Sequence, residues 1–557
     1  MLGNRVCVLG GGPLGLVATK NLAEQGMHVT TFEKGSKVGG IWTIRDGQLS
    51  VLPTTTKNTS KQVSSFTDLR YPKDAKTHPS AKQVETYLDN YADTFDILKH
   101  FRFDTEVVAI RRDEHNTAWV VTTKSTKGSN GATEVHHFDR VVVASGLLSV
   151  AKMPRFQGSE RFQGDLMHSR EFKDPSKYEG KRVIVVGVGA TGVDIASFIV
   201  KAKAKQVYLS HRAQMLLLPR MVAGKAFDHN MSRRLGLIMR RLMAWIPGHI
   251  LKFMANPMVA ARQAAYPWLS DHPSFNAPRK MDGLPYRVPM FSDDLAYNIR
   301  QGAVQTTQGI EEITGPRSVR MTDGTELDDI DAIVVCSGYT YDLSFLQGPG
   351  NPCDPALAPD GFKAHRAAKY YDPDYPFARL YQGILSEQYP DSLAILGHML
   401  IMKPPFVVAD LATMAIASLW SGSYPGGMPS KAAMRADIDK QYDFVVKMCA
   451  NGPIHYPGFR MSLGEATYKW LNTVAGTGVL ERIGNWGPAA FRLWWQDRKF
   501  YNLLMDGIDC PATYRLFDTP YGRKSWKGAK QAILDANEEV RAMGEQWKKE
   551  EADKKSK

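Results

Sequence analysis

Two glycine runs of one shape, Gly10-x-Gly12-x-x-Gly15 and Gly187-x-Gly189-x-x-Gly192, are the residues most clearly spaced for chemistry. In a strand-turn-helix unit such glycines permit a tight turn and let a pyrophosphate approach the backbone at the helix start. A residue about 20 positions further on reads the adenosine ribose. The first run has Glu33 there, and the second has Ser210 followed by His211 and Arg212. A carboxylate accepts hydrogen bonds from free ribose hydroxyls and repels a 2′-phosphate, whereas a guanidinium pairs with a phosphate through two parallel hydrogen bonds. The chain therefore calls for two dinucleotides, one with an unmodified ribose and one resembling NADP.

The elements around both runs are those such a site needs. Short β-branched strands are expected at 5–9 and 182–186, helices at 14–25 and 190–202, and second strands at 29–32 and 207–210. A further helix near 81–95 is followed by a hairpin, 119–123 with 133–138, across a turn at 127–131. Two apolar runs then end alike, in Ser145-Gly146 and in Ser337-Gly338, as where a strand returns the chain to a nucleotide. The pattern predicts an α/β fold with two Rossmann-like dinucleotide-binding domains. The first occupies 1–155, and the second 156–340, interrupted by a basic helical insertion at 213–285. Residues 341–530 complete the first domain and cover its cofactor, and 531–557 form a charged tail, read as a solvated, fraying helix. The apolar stretch 406–424 contains Asp410 and reads as a buried helix rather than a membrane span.

At 557 residues, with 43% apolar and 23% charged side chains, the chain is globular and has room for two or three domains of roughly 100–200 residues each. Its five cysteines are scattered and form no C-x-x-C pair, which argues against a bound metal and a disulfide-redox centre and for a reducing compartment. No secretory signal is expected, so the protein is placed in the cytoplasm or on the cytosolic face of an internal membrane. The net charge of +13 does not point to nucleic acid, because it is concentrated: nine Arg or Lys between 212 and 270 face one acid, Asp228. Interleaved Trp, Met and Leu suit an anionic membrane surface. The alternatives are an insertion packed on the body of the protein or on a second copy in a homo-oligomer.

Gly39-Gly40-Ile-Trp42, Asn58-Thr-Ser60 and Phe162-x-Gly164-x-x-x-His168-x-x-x-Phe172 stand between and beside the two glycine runs. With these the chain resembles the flavin-containing monooxygenases, over essentially all of residues 1–345. The resemblance implies FAD on the first turn and NADPH on the second. Hydride passes to the flavin, oxygen adds to give a flavin hydroperoxide, and its distal oxygen goes to a soft nitrogen or sulfur atom of a small molecule. Baeyer–Villiger oxygenation of a ketone is the enzymatic rival. Phe172 and the Asn58 segment stand where that branch carries Trp and Asp, which favours heteroatom oxygenation. A non-catalytic, membrane-docked regulatory protein is the alternative of another class. The residues so implied for FAD are Gly10, Gly12, Pro13, Leu14, Gly15, Glu33, Gly40, Trp42, Asn58, Ser60, Val107, Ala144 and Gly146. Those implied for NADPH are Gly187, Gly189, Ala190, Thr191, Gly192, Ser210, His211, Arg212, Ser337 and Gly338. Asn58 is the one residue expected at the chemistry, since an amide donates and accepts without releasing a proton; otherwise it caps a turn, and Lys57 and Ser60 are exposed loop residues. Trp42 either stacks near the flavin or fills core. His168 is expected as a hydrogen-bonded structural residue rather than a general base.

Overall fold

The computed structural model describes residues 3–44, 50–128, 131–212, 216–238, 257–275, 289–357, 361–372, 377–401, 403–451, 464–484 and 487–556. β1 (Arg5–Leu9) leads through the first glycine turn into α1 (Pro13–Glu24) and β2 (His28–Phe32), with β3 (Arg140–Val143) on the other side of β1. All three strands are parallel, and alternate side chains go to opposite faces. Val6 and Val8 pack with α1, while Cys7 packs with Trp119 and Val121 of a three-stranded meander that contains the expected hairpin. Leu380–Tyr381, Leu385–Ser386 and Leu393–Ile395 extend the sheet beyond β3, and Phe101–Arg102 beyond β2 brings it to seven strands, so the last third of the chain builds part of the first domain.

The second unit repeats the first. β4 (Arg182–Val186), α2 (Ala190–Lys201), β5 (Gln206–Ser210) and β6 (Ala332–Val335) take the places of β1, α1, β2 and β3 in a parallel five-stranded sheet. Both sheets are covered on both faces, which suits their unbroken runs of Val and Ile.

α3 (Pro405–Trp420) is the helix expected between 406 and 424, buried along its length beside α1. Asp410 is tolerated there because its carboxylate accepts from Asn21 Nδ2 at 2.9 Å, and from the Thr67 N–H and hydroxyl at 2.8 and 2.7 Å. After α4 (Pro488–Gln496) the chain ends in α5 (Ala529–Ser556). The last helix departs from the expected solvated tail. Ala529, Ala532, Ile533, Ala536 and Val540 form a buried stripe at helical spacing, and Arg70 reaches Asp535 and Glu539 at 3.2 and 2.7 Å.

The described part of the insertion holds the helix Pro257–Ala265 and the 3-10 turns Phe227–Asn230 and Pro267–Ser270, and it packs on the protein itself, one of the arrangements expected for it. Tyr266, Leu269 and Phe275 join the core around β4 and α2. Arg262 donates to the Phe275 carbonyl at 2.8 Å, Arg233 pairs with Asp509 at 2.8 Å and Arg234 with Asp506 at 2.5 Å. Four bases counted toward a membrane-facing surface, these three and Arg220, are engaged inside the molecule. Arg240, Arg241 and Lys252 lie outside the described residues.

Candidate functional site

The two glycine turns are near copies. Gly10 and Gly187 both sit at φ +105°, and a Cβ on either would lie 2.6 Å from a carbonyl oxygen, that of Ala144 or that of Cys336. A Cβ on Gly15 would collide with the Gly10 carbonyl, and one on Gly192 with the Gly187 carbonyl. Gly12 and Gly189 start α1 and α2, and among the described residues no side chain caps either start. The first N–H groups of each helix therefore stay available to a pyrophosphate. Pro13 takes the N1 position, where its missing N–H costs nothing, and Ala190 and Thr191 are exposed at the same place on α2. Gly146 and Gly338 close the return strands at φ +84° and +88°. Beside the latter, the Ser337 hydroxyl donates to the Lys152 carbonyl. These cradles fit two dinucleotides, and fill with backbone if any of the four crowded glycines gains a side chain.

Gly39-Gly40 sits on the first turn: the Gly39 N–H donates to the Gly11 carbonyl at 2.9 Å, and a Cβ on Gly40 would lie 2.9 Å from Gly12 Cα. Trp42 is half-buried against the cluster of Leu16, Val17 and Phe66, and Leu14 packs on the same cluster. Glu33 holds the lip of this cradle, accepting from the Gly11 and Gly35 N–H groups at 2.6 and 2.7 Å. Val107 stands half-buried at a bulge in the strand Thr105–Arg112, whose first N–H donates to the Glu33 carbonyl.

At the second lip, three neighbours face different ways. Ser210 is buried and donates to the Gln308 carbonyl at 2.8 Å, while the His211 ring meets Ser274 Oγ at 2.8 Å. Arg212 is exposed, with its stem over Gly309. Of the three, Arg212 is the one exposed at this lip, where a 2′-phosphate contact is expected. A charge-assisted hydrogen bond is worth roughly 1.5–3 kcal/mol, so Arg212→Ala raises KM for NADPH about ten- to a hundredfold and leaves NADH little changed. Equal losses with both nucleotides, in steady-state kinetics, would move the phosphate contact elsewhere.

Asn58 lies where the two units meet. Arg220 Nη2 donates to Asn58 Oδ1 at 3.1 Å, and the same guanidinium approaches Asp293 at 3.3 Å and Asp194 at 3.7 Å. Burial pushes the Asp194 carboxyl up to about 6, against the pull of Arg220. Two residues on, Asp228 Oδ2 accepts the Ser60 N–H at 2.7 Å. Ser60, His229 and Asp228 look like a nucleophilic triad, but the proton positions forbid it. His229 Nδ1 accepts from the Ala226 N–H at 3.3 Å, so Nε2 bears the hydrogen and donates to Ser60 Oγ at 3.0 Å. A base would have to do the reverse. Sequence reasoning missed Arg220, Asp228 and His229 as neighbours of Asn58, although Asp228 stood out as the single acid among nine bases.

Lys57 and Ser60 are buried rather than exposed. Lys57 Nζ donates to the Ser64 carbonyl at 2.8 Å and lies 4.0 Å from the Phe406 ring centroid. Burial pulls its ammonium down to about 7 from 10.5, with Asp228 opposing. A base whose pKa is lowered by folding costs stability fully below its folded value, and that cost fades as pH rises toward the unfolded one. Between about 7 and 10.5 the protein therefore gains stability relative to Lys57→Met, read as the difference in chemical-unfolding midpoints across that window. Parallel midpoint curves for the two proteins would show that Lys57 stays charged throughout.

His168 is a staple. The Arg170 N–H donates to Nδ1 at 3.1 Å, so Nε2 carries the hydrogen and donates to the Gly338 carbonyl at 3.1 Å. Burial also holds its pKa below the ordinary range, and neither nitrogen is open to act as a base. Phe172 is buried and stacked on Tyr178, with ring centroids 5.4 Å apart.

The flavin-binding monooxygenase-like family matches residues 3–351. The chain belongs to this family. It is 34% identical to the monooxygenase aurF of Gibberella zeae, over 96% of its own length and 97% of that protein. It is 31% identical to dimethylaniline monooxygenase [N-oxide-forming] 2 of Rattus norvegicus, over 62% and 63% of the two chains. Among solved structures, S-allyl-L-cysteine S-oxygenase from Allium sativum superimposes with a TM-score of 0.59 at 19% identity, covering 97% of this chain and 98% of that one. The protein is an NADPH-dependent flavin monooxygenase with FAD and NADPH as its cofactors.

Proposed function

We propose that this monooxygenase transfers one oxygen atom to a nucleophilic nitrogen or sulfur of a small molecule at the junction marked by Asn58. FAD lies on the β1–α1 turn and NADPH on the β4–α2 turn. Bound FAD, reduced by NADPH, supplies the electrons that activate O2 and presents the oxygen atom to be transferred. One turnover converts substrate, O2, NADPH and a proton into oxygenated substrate, water and NADP+. The chain's own residues bind and orient. The uncapped helix starts take the two pyrophosphates, Glu33 accepts from one ribose, and Arg212 pairs with the phosphate on the other. Asn58 provides a neutral amide at the reacting centre, so nothing there hands a proton prematurely to the activated oxygen.

The observation that carries this reading is the position of Asn58, on a first-domain loop yet bonded to Arg220, which the acids of the second unit hold. An N-oxide-forming relative and the amide at position 58 favour nitrogen or sulfur over a ketone. The purified protein, given a sulfide, a tertiary amine and a ketone in parallel, converts the first two. Conversion of the ketone alone would make it a Baeyer–Villiger enzyme, and no substrate-dependent NADPH use with bound yellow flavin would make it a regulatory protein.

Peripheral membrane contact is a second reading, with its centre shifted from the ion-paired arginines. On α4, Phe491 and Trp495 are 55% and 75% exposed, stacked with 6.2 Å between centroids, and Arg492, Arg498 and Lys499 stand exposed around them. Aromatic side chains beside bases suit an anionic lipid surface. Among the described residues no helix is long and apolar enough to cross a membrane. Phe491→Ser with Trp495→Ser abolishes co-sedimentation with anionic vesicles. Unchanged sedimentation with vesicles, or a change in oligomeric state alone, would make α4 a contact between copies or an idle surface.

A further inference from the structure

We propose that Arg220 is a positioning residue: it holds the Asn58 amide with its NH2 end toward the reacting centre and ties that setting to the NADPH-binding unit. The inference deepens the reading of Asn58 given above and rests on it.

A guanidinium has five donors and no acceptor, so whichever amide atom faces Arg220 must be the oxygen. The 3.1 Å contact from Nη2 to Oδ1 thus decides the orientation of the amide. With Oδ1 engaged, the two Nδ2 hydrogens are the polar atoms left to meet a ligand. That end donates to an electron-rich oxygen atom or to the carboxamide oxygen of a nicotinamide; the opposite orientation would set an oxygen lone pair against each.

The arginine is itself held from the second unit. Its backbone N–H donates to Asp293 Oδ1 at 3.0 Å, its Nη1 to Asp293 Oδ2 at 3.3 Å, and Nη2 lies 3.7 Å from Asp194 Oδ1. Asp194 is in α2, the helix whose start receives the pyrophosphate, and Asp293 lies just before the helix Leu295–Arg300, which packs on the same core. Two carboxylates already balance one guanidinium. The bond to Asn58 is therefore not needed for charge, and it is the one that crosses to the first domain. A fork can serve three partners in fixed directions; a lysine ammonium at the same place keeps the charge and loses the fork.

The test is a double-mutant cycle on the FAD-loaded protein with Arg220→Lys, Asn58→Leu and the pair. Two readouts are taken: the NADP+ dissociation constant of the oxidised protein, by titration of flavin absorbance without turnover, and hydrogen peroxide released per NADPH consumed. Arg220→Lys weakens NADP+ about tenfold and raises the peroxide yield. In the Asn58→Leu background the same substitution changes neither. Equal effects of Arg220→Lys in both backgrounds would make Arg220 a structural ion-pair residue and overturn the proposal while leaving Asn58 in place. No effect of Asn58→Leu on either readout would sink the reading of Asn58 and this inference with it. If Arg220→Lys fails to retain FAD, Asp293→Asn loosens the guanidinium from a half-exposed anchor. It reproduces the pattern with smaller amplitude, and its silence in the otherwise native protein would equally overturn the proposal.

Discussion

Gly15→Ala purifies colourless, and Gly192→Ala purifies yellow but is not reduced by NADPH. Each new methyl group is driven into the carbonyl of the glycine that opens its turn, Gly10 in one case and Gly187 in the other. Backbone cannot yield as the end of a side chain can, so the strand-to-helix connection has to open and the pyrophosphate seat is lost. The two losses are separate because the cradles stand on different sheets, β1 with β3 and β4 with β6. Gly189→Ala is the control. Its Cβ meets nothing within 4 Å, so the fold tolerates it, and only a nucleotide approaching the start of α2 would feel the methyl. It keeps the thermal stability and flavin content of the parent and binds NADPH more weakly. The assignment is checked by the visible spectrum of each purified variant and by anaerobic mixing with NADPH. Retention of FAD by Gly15→Ala, or normal reduction of Gly192→Ala, would mean that the turns do not hold these cofactors.

Both cradles were legible in the sequence because their determinants are local. A β-branched run, three glycines and a lip residue lie within about 30 positions, and each is forced by backbone geometry rather than by a distant partner. The matching φ angles of Gly10 and Gly187, and of Gly146 and Gly338, are what the repeated spacing predicts. The surroundings of Asn58 were not legible for the opposite reason. Arg220 reaches it across 162 positions and Asp228 reaches Ser60 across 168, contacts that exist only once the insertion folds back between the two units. Charge counting failed in the same region. It registers Arg233 and Arg234 but not Asp509 and Asp506, which come from the far end of the chain and pair with those charges, the first pair largely buried and the second at the surface. The last helix reads as solvated in the sequence because small residues carry its buried stripe: three alanines, an isoleucine and a valine among dense charges raise the average hydropathy very little.

Asn58→Leu keeps FAD, keeps reduction by NADPH, and consumes NADPH while making hydrogen peroxide in place of product. The substitution preserves volume, and the seats of both cofactors depend on glycine turns that it does not touch. What disappears is the amide. A neutral hydrogen bond contributes about 0.5–1.5 kcal/mol net, and a buried group left without its partner costs about 1–3 kcal/mol. Here Arg220 is the group left behind, buried and with one of its three side-chain partners gone. Together these shift the partition between oxygen transfer and peroxide loss by about tenfold or more. Peroxide assay beside product assay, at equal NADPH consumption, reads that partition directly. Asn58→Asp separates charge from shape: it can still meet Arg220, but no longer offers an N–H, so it leaks peroxide as well even though its ion pair strengthens the junction. Tight coupling in both variants would return Asn58 to the role of a loop residue that happens to lie beside an arginine.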